Sequence, residues 1–154
     1  MTLKVQDIRT ELKRLYQGGE FVTDKNGGQM VEIINACFEA DEDIIFGVEN
    51  KDYIERELEW YESMSLKVDD IPGGTPAIWK QVAGKTTGEI NSNYGYLIYS
   101  EANHRQFAHC LDALLHDRDT RRAQMIYTRP SIQFEYQRDG MSDFICTNTV
   151  QYFI

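Results

Sequence analysis

Apolar residues recur with helical spacing in three stretches of the chain. Ile8, Leu12, Leu15 and Tyr16 follow an i, i+4, i+7, i+8 rhythm within residues 3–17, and Gly18-Gly19 closes that helix. Residues 51–63 form a second helix by the same criterion. A third runs over 103–116, with Phe107, Leu111, Leu114 and Leu115 on one face. Between them lie patterns of the other period. Phe21-Val22 and residues 30–38 read as strands joined by the turn Asp24-Lys25-Asn26-Gly27-Gly28. Residues 64–96 read as irregular, with Gly and Pro clustered around Ile71-Pro72-Gly73-Gly74-Thr75-Pro76. After Arg121-Arg122 the chain reads as strands over 123–128, 131–136 and 143–154. Helices and strands without a regular βαβ alternation predict an α+β fold. The last strand runs from Phe144 to Ile154 as an apolar, buried stretch without a closing turn, so the chain is expected to be a portion of a longer domain.

Composition narrows the picture. The chain has 154 residues, 42% hydrophobic and 12% aromatic, which suits one domain with its own core. No apolar run is long enough for a membrane span, and the first residues lack the apolar stretch of a signal peptide. The three cysteines, Cys37, Cys110 and Cys146, have no tight spacing, so reduced thiols in a cytoplasmic protein are expected. No Cys/His cluster has metal-ligand spacing. The formal net charge of -9 argues against direct nucleic-acid binding. A small anionic ligand would need a few cations placed locally.

Four places offer such chemistry. Glu57 has Tyr53, Ile54, Trp60 and Tyr61 at i-4, i-3, i+3 and i+4, which puts it in the middle of a buried helical stripe. A carboxylate left unpaired in such a setting becomes a general acid/base; the alternative is a helix that pairs Glu57 with an arginine from elsewhere. Cys146 shares its strand face with Asn148 and Tyr152, among polar neighbours Thr147 and Thr149. It is either a small core hydrophobe or a thiolate nucleophile. Arg121 and Arg122, at a loop-to-strand junction, have the fork geometry that grips a phosphate, or else belong to a solvated loop. Lys25, in its Gly-rich turn, admits the same two readings.

These residues also carry a resemblance. The stretches 56–61, Ala77-Ile78-Trp79, Asn93-Tyr94-Gly95 and Arg121-Arg122, followed by the cysteine strand, occur in the order found in the thymidylate synthase superfamily. Residues 21–28, 54–66, 88–95 and 125–154 are similar to its phage branch, the dCMP hydroxymethylases. In thymidylate synthases the cysteine is typically followed by His; here Thr147 follows it, as in that branch. The resemblance implies a thymidylate synthase-like fold, a mixed sheet packed with helices, of which residues 1–154 form the N-terminal half to three-fifths. It implies folate-dependent hydroxymethylation of dCMP at carbon 5, with 5,10-methylenetetrahydrofolate as the one-carbon donor. Cys146 would be the nucleophile at carbon 6 and Glu57 the residue managing protons and water. Arg121 and Arg122 would reach the nucleotide phosphate of the partner in a homodimer. Lys25, where thymidylate synthases use Arg, would serve the same phosphate. Trp79, Tyr94 and Asn93 would lie near the ring and the folate. A dUMP-using synthase and a non-catalytic dimerisation or nucleotide-binding fragment are the alternatives. A separate C-terminal half, and host-cell cytoplasm as location, complete what the resemblance implies.

Overall fold

The computed structural model describes residues 2–24 and 27–154, and the chain divides into two compact units, Met1–Asn50 and Lys51–Ile154. In the first unit, strand β1 (Leu3–Lys4) leads into helix α1 (Val5–Gly18). The Asp7 side chain accepts from the Lys4 backbone N–H and closes the N-terminal turn; Gly19 ends the helix in the left-handed region at φ 68°. Strands β2 (Val22–Thr23) and β3 (Gln29–Met30) make the expected hairpin, with Val22 opposite Met30. Lys25, at its turn, lies outside the described residues. The strand expected over 30–38 does not continue past Met30. Asn35 takes a left-handed φ of 59°, which breaks the extended run, and only β4 (Phe38–Glu39) pairs, in parallel with β1.

The second unit opens with α2 (Lys51–Ser63), where it was expected. Asp52 complements the helix N-terminus and pairs with Arg56 one turn on, N–O 3.1 Å. Residues 64–96 are less irregular than their Gly and Pro suggest. A 3₁₀ turn (Val68–Asp70) and α3 (Ala77–Val82) fall there, and α4 (Tyr94–Tyr99) begins there. Pro76 precedes the first turn of α3, where a missing N–H costs nothing. A second 3₁₀ turn (Glu101–Asn103) leads to α5 (Gln106–His116), three residues later than expected because His104 and Arg105 are both left-handed. The inward face of α5 is also rotated: Cys110 is buried, whereas Phe107, Leu111 and Leu115 are exposed.

Strand β5 (Gln124–Ile126) follows, and then a correction. Residues 131–136 form no strand but the short helix α6 (Ile132–Glu135). Alternation would place Ile132, Phe134 and Tyr136 on one face. Instead Ile132 is buried and Phe134 is 89% exposed, as helical spacing demands after the turn-forming Pro130. A third 3₁₀ turn (Arg138–Gly140) precedes the cysteine segment. That segment is extended, but only β6 (Thr149–Gln151) pairs, antiparallel to β5. The expected burial is half right, since side chains alternate: Asp143 and Ile145 are buried, while Phe144 and Cys146 are exposed.

The result is a mixed α/β architecture with strands paired two by two. Two apolar clusters organise the second unit. One gathers Trp60, Val68, Ile71, Ala83 and Ile90; the other gathers Leu97, Cys110, Met125, Tyr127, Ile132 and Ile145. Helices α2 and α4 join them through Gly95, whose missing side chain lets the backbone of α4 press against the Tyr61 carbonyl. Among the described residues no helix is long and apolar enough to cross a membrane.

Candidate active site

Glu57 is half-buried on α2 and is not left unpaired. The Tyr53 hydroxyl, one turn earlier, donates to its Oε1 at 2.7 Å, and the Trp79 indole N–H of α3 donates to that same hydroxyl at 2.7 Å. The stripe expected around it is therefore real on the side of Tyr53, Trp60 and Tyr61. Ile54, on its other edge, is 42% exposed. Burial, and next the Glu57 carboxylate, push the Tyr61 hydroxyl far above the ordinary phenol range. Tyr53 is likewise raised, first by burial. Both phenols thus stay protonated near Glu57, and Tyr53 donates to it.

An aromatic row extends from this cluster. Trp79 meets Trp60 at 5.7 Å between ring centroids, Trp60 meets Tyr61 at 5.5 Å, Tyr61 meets Tyr94 at 5.7 Å and Tyr94 meets Tyr127 at 5.4 Å. The row spans both apolar clusters, with most contacts edge-on as ring quadrupoles prefer. Its far end reaches the cysteine segment, since the Tyr127 N–H donates to the Asn148 carbonyl at 2.9 Å.

Asn93 lies between α2 and α4. It is fully buried; its Nδ2 donates to the Trp60 and Ser65 carbonyls, and its Oδ1 caps α4 through the Tyr96 N–H. The amide is thereby committed to fixing where Tyr94 starts its helix.

Cys146 projects outward from an arm that is anchored at several points. Asp139 accepts from the backbone N–H groups of Thr86 and Thr87, which hold its carboxyl down at about 2. The Ser142 N–H donates to the Val82 carbonyl at 2.8 Å. Buried Asp143 accepts from the N–H groups of Asn91 and Ser92 and from the Ser92 hydroxyl. The arm is thus tied to the end of α3, which carries Trp79, and to the turn before α4, which carries Tyr94. Periodicity gave no sign of these two aspartates, although Asp139-Gly140 is a turn signal. The Cys146 thiol has one weak contact, 3.6 Å to the Phe144 carbonyl. All three cysteines are free; Cys110 is buried and Cys37 is exposed.

Arg121 and Arg122 lie apart from this cluster at the β5 end. The Arg121 guanidinium sits 5.2 Å over the Phe153 ring and lines a hollow of about 50 Å³ with Arg118, Asp119 and Thr120. Neither arginine is ion-paired among the described residues. No group of acidic, His and Cys side chains among the described residues is arranged to hold a metal ion.

Comparison with known proteins supplies the remaining observation. The chain is 57% identical over 153 residues, 99% of its length, to the deoxycytidylate 5-hydroxymethyltransferases of Enterobacteria phages T4, T2 and T6. The likeness is to the phage deoxycytidylate hydroxymethyltransferases. The resemblance read from the sequence motifs is thereby borne out. The match covers 62% of each of these hydroxymethyltransferases, so the chain spans about three-fifths of their length. No family model matches the chain.

Proposed function

We propose that this chain carries the nucleophile-bearing part of a thymidylate synthase-like enzyme that hydroxymethylates dCMP at carbon 5, residues 1–154 being the N-terminal portion of one such domain. The observation that carries the reading is the 57% identity over nearly the whole chain to proteins named for that reaction. Cys146, outward on its anchored arm, bonds through Sγ to carbon 6 of the pyrimidine. The electron pair released to carbon 5 would form the new carbon–carbon bond to the one-carbon unit; loss of the carbon 5 proton would then break the bond from that unit to the donor's nitrogen and leave an exocyclic methylene. Water adds to the exocyclic methylene, the thiolate departs, and 5-hydroxymethyl-dCMP results. Dividing one hard step into easier ones is what the covalent bond contributes. Glu57, braced by Tyr53, takes and returns protons at the ring.

The half-exposed rings of Trp79 and Tyr94 offer the flat aromatic surface that a fused pterin takes. Methylenetetrahydrofolate, when bound, supplies the one-carbon unit and leaves as tetrahydrofolate. Arg121 and Arg122, not ion-paired among the described residues, suit a phosphate oxygen in bidentate fashion. The test is tritium release from [5-³H]dCMP, with [5-³H]dUMP in parallel, together with intact-mass trapping of the adduct. The assay uses the chain supplemented with the part of the phage T4 relative that it does not match. Release from dCMP and a Cys146-dependent adduct are expected; release from dUMP alone would replace dCMP by dUMP, and no adduct with either would end the reading.

A further inference from the structure

The three groups at Glu57 differ in what they are able to give. An indole N–H only donates. The Tyr53 hydroxyl must therefore accept from Trp79, and its single proton is left for Glu57 Oε1; both contacts are 2.7 Å. The relay runs one way, from Trp79 through Tyr53 to Glu57, and no rotation of the hydroxyl reverses it while both contacts stand. We infer that Tyr53 is a positioning residue that sorts the two oxygens of Glu57, committing Oε1 as an acceptor so that any proton the carboxyl carries sits on Oε2. The functional half of this inference rests on the reading of Glu57 as the proton-handling group.

The surroundings fit that division. Among the described residues, the titratable groups facing Glu57 are Tyr53 and Tyr61 of its own helix and, beyond Tyr61, Tyr94 of α4. Arg56 lies over the Tyr53 ring at 5.6 Å, engaged with Asp52 and the Pro72 carbonyl, and its pull is on Tyr53. Helix α3 contributes the Trp79 indole, which does not titrate. A carboxyl whose proton has one allowed oxygen presents that proton in one direction, which is the pre-orientation that proton transfer to a fixed substrate atom requires.

Tyr53→Phe keeps the ring and removes only the hydroxyl. With two tryptophans in the chain, ¹⁵N-labelled protein gives two indole N–H signals, assigned by Trp79→Phe. Trp60 serves as the internal control, because its indole donates to the Lys67 carbonyl at 3.1 Å. In Tyr53→Phe the Trp79 signal should move upfield and exchange with solvent several-fold faster while the Trp60 signal holds. The Glu57 carboxylate stretch, isolated by infrared difference against Glu57→Gln, should shift as its donor is lost. In the supplemented enzyme, tritium release should fall by about tenfold or more with the KM for dCMP and the Cys146 adduct retained. An unmoved Trp79 signal, movement of both indoles together, or an unshifted carboxylate band would overturn the relay. If wild-type protein forms no adduct, the proposed function fails while the indole and infrared results still decide the role of Tyr53.

Discussion

Cys146 is the residue on which the functional reading turns, and its surroundings explain why it stands apart from the other two thiols. Ile145 beside it is fully buried and fixes the backbone, so the alternation of an extended chain turns the thiol outward. Cys110 lies inside the cluster around Leu97 and Met125, where burial raises its thiol above the ordinary range and suppresses the thiolate. In the supplemented enzyme, Cys146→Ser should cut adduct formation by about two orders of magnitude or more, because a hydroxyl is almost wholly protonated at neutral pH. Cys110→Ala should leave the adduct intact and lower stability only. Glu57→Gln should keep the adduct and slow tritium release. Intact mass and tritium counting on the three variants check this, and a Cys146→Ser protein with near-normal release would remove the cysteine from the mechanism. Glu57 was legible from four neighbours at helical spacing, because α2 is a regular amphipathic helix. Its hydrogen bond to Tyr53 follows from the same i, i+4 geometry. The Trp79 end of that relay was not legible, since it joins residues 26 apart through a Gly- and Pro-rich stretch.

The elements that place these residues depend on two close fits. A methyl group at Gly95 would collide with the Tyr61 carbonyl, so Gly95→Ala must push α4 away from α2. A cost of about 1–3 kcal/mol is expected, visible as a lower Tm and as a loss of near-UV dichroism from the Tyr61–Tyr94 pair. The second fit is the clamp of Asp139 on Thr86 and Thr87. Its folded carboxyl lies at about 2, below the ordinary 3.8 of the unfolded chain. A depressed carboxyl contributes stability above its unfolded value, and that contribution is lost as pH falls through the folded one. Urea midpoints should therefore drop between pH 4 and 2 in the wild type by more than in Asp139→Asn; equal slopes would deny the clamp a role. Helices α1 and α2 were readable because their apolar faces pack at regular spacing. Residues 131–136 were not, because alternating Ile132, Phe134 and Tyr136 satisfy a strand while Pro130 and the burial of Ile132 alone favour a turn of helix. The buried ends of the cysteine arm escaped for the same reason: Asp143 satisfies backbone N–H groups some 50 positions away, and no local pattern records such a partner.

At the scale of the whole molecule, charge and surface set the last expectation. A net charge of -9 repels a nucleotide dianion, so the phosphate must be held by cations that no internal carboxylate consumes. Arg121 and Arg122 meet that condition, yet they stand at the β5 end and not beside Glu57 or Cys146. Among the described residues, no side-chain hydrogen bond or ion pair of either arginine reaches the aromatic row. A second copy brings the two together if its β5–β6 surface, with Ile126 49% exposed, faces the first. The homodimer that the resemblance implies would thus supply each site with two arginines from its partner. Sedimentation equilibrium at micromolar concentration should then give twice the chain mass, and Ile126→Asp should shift it toward the monomer. Each of Arg121→Ala and Arg122→Ala should raise the KM for dCMP about ten- to a hundredfold, the worth of a charged hydrogen bond, with kcat less affected. Mixing decides whether the arginines act across the interface. A Cys146→Ser subunit and an Arg121→Ala/Arg122→Ala subunit are each defective alone. Together, exchanged into hybrids with the complementing polypeptide present, they restore one site that has an intact cysteine and its partner's intact arginines. Recovery of tritium release on mixing is expected; two inactive proteins that stay inactive after demonstrated subunit exchange would place the arginines in the same site as their own chain's cysteine.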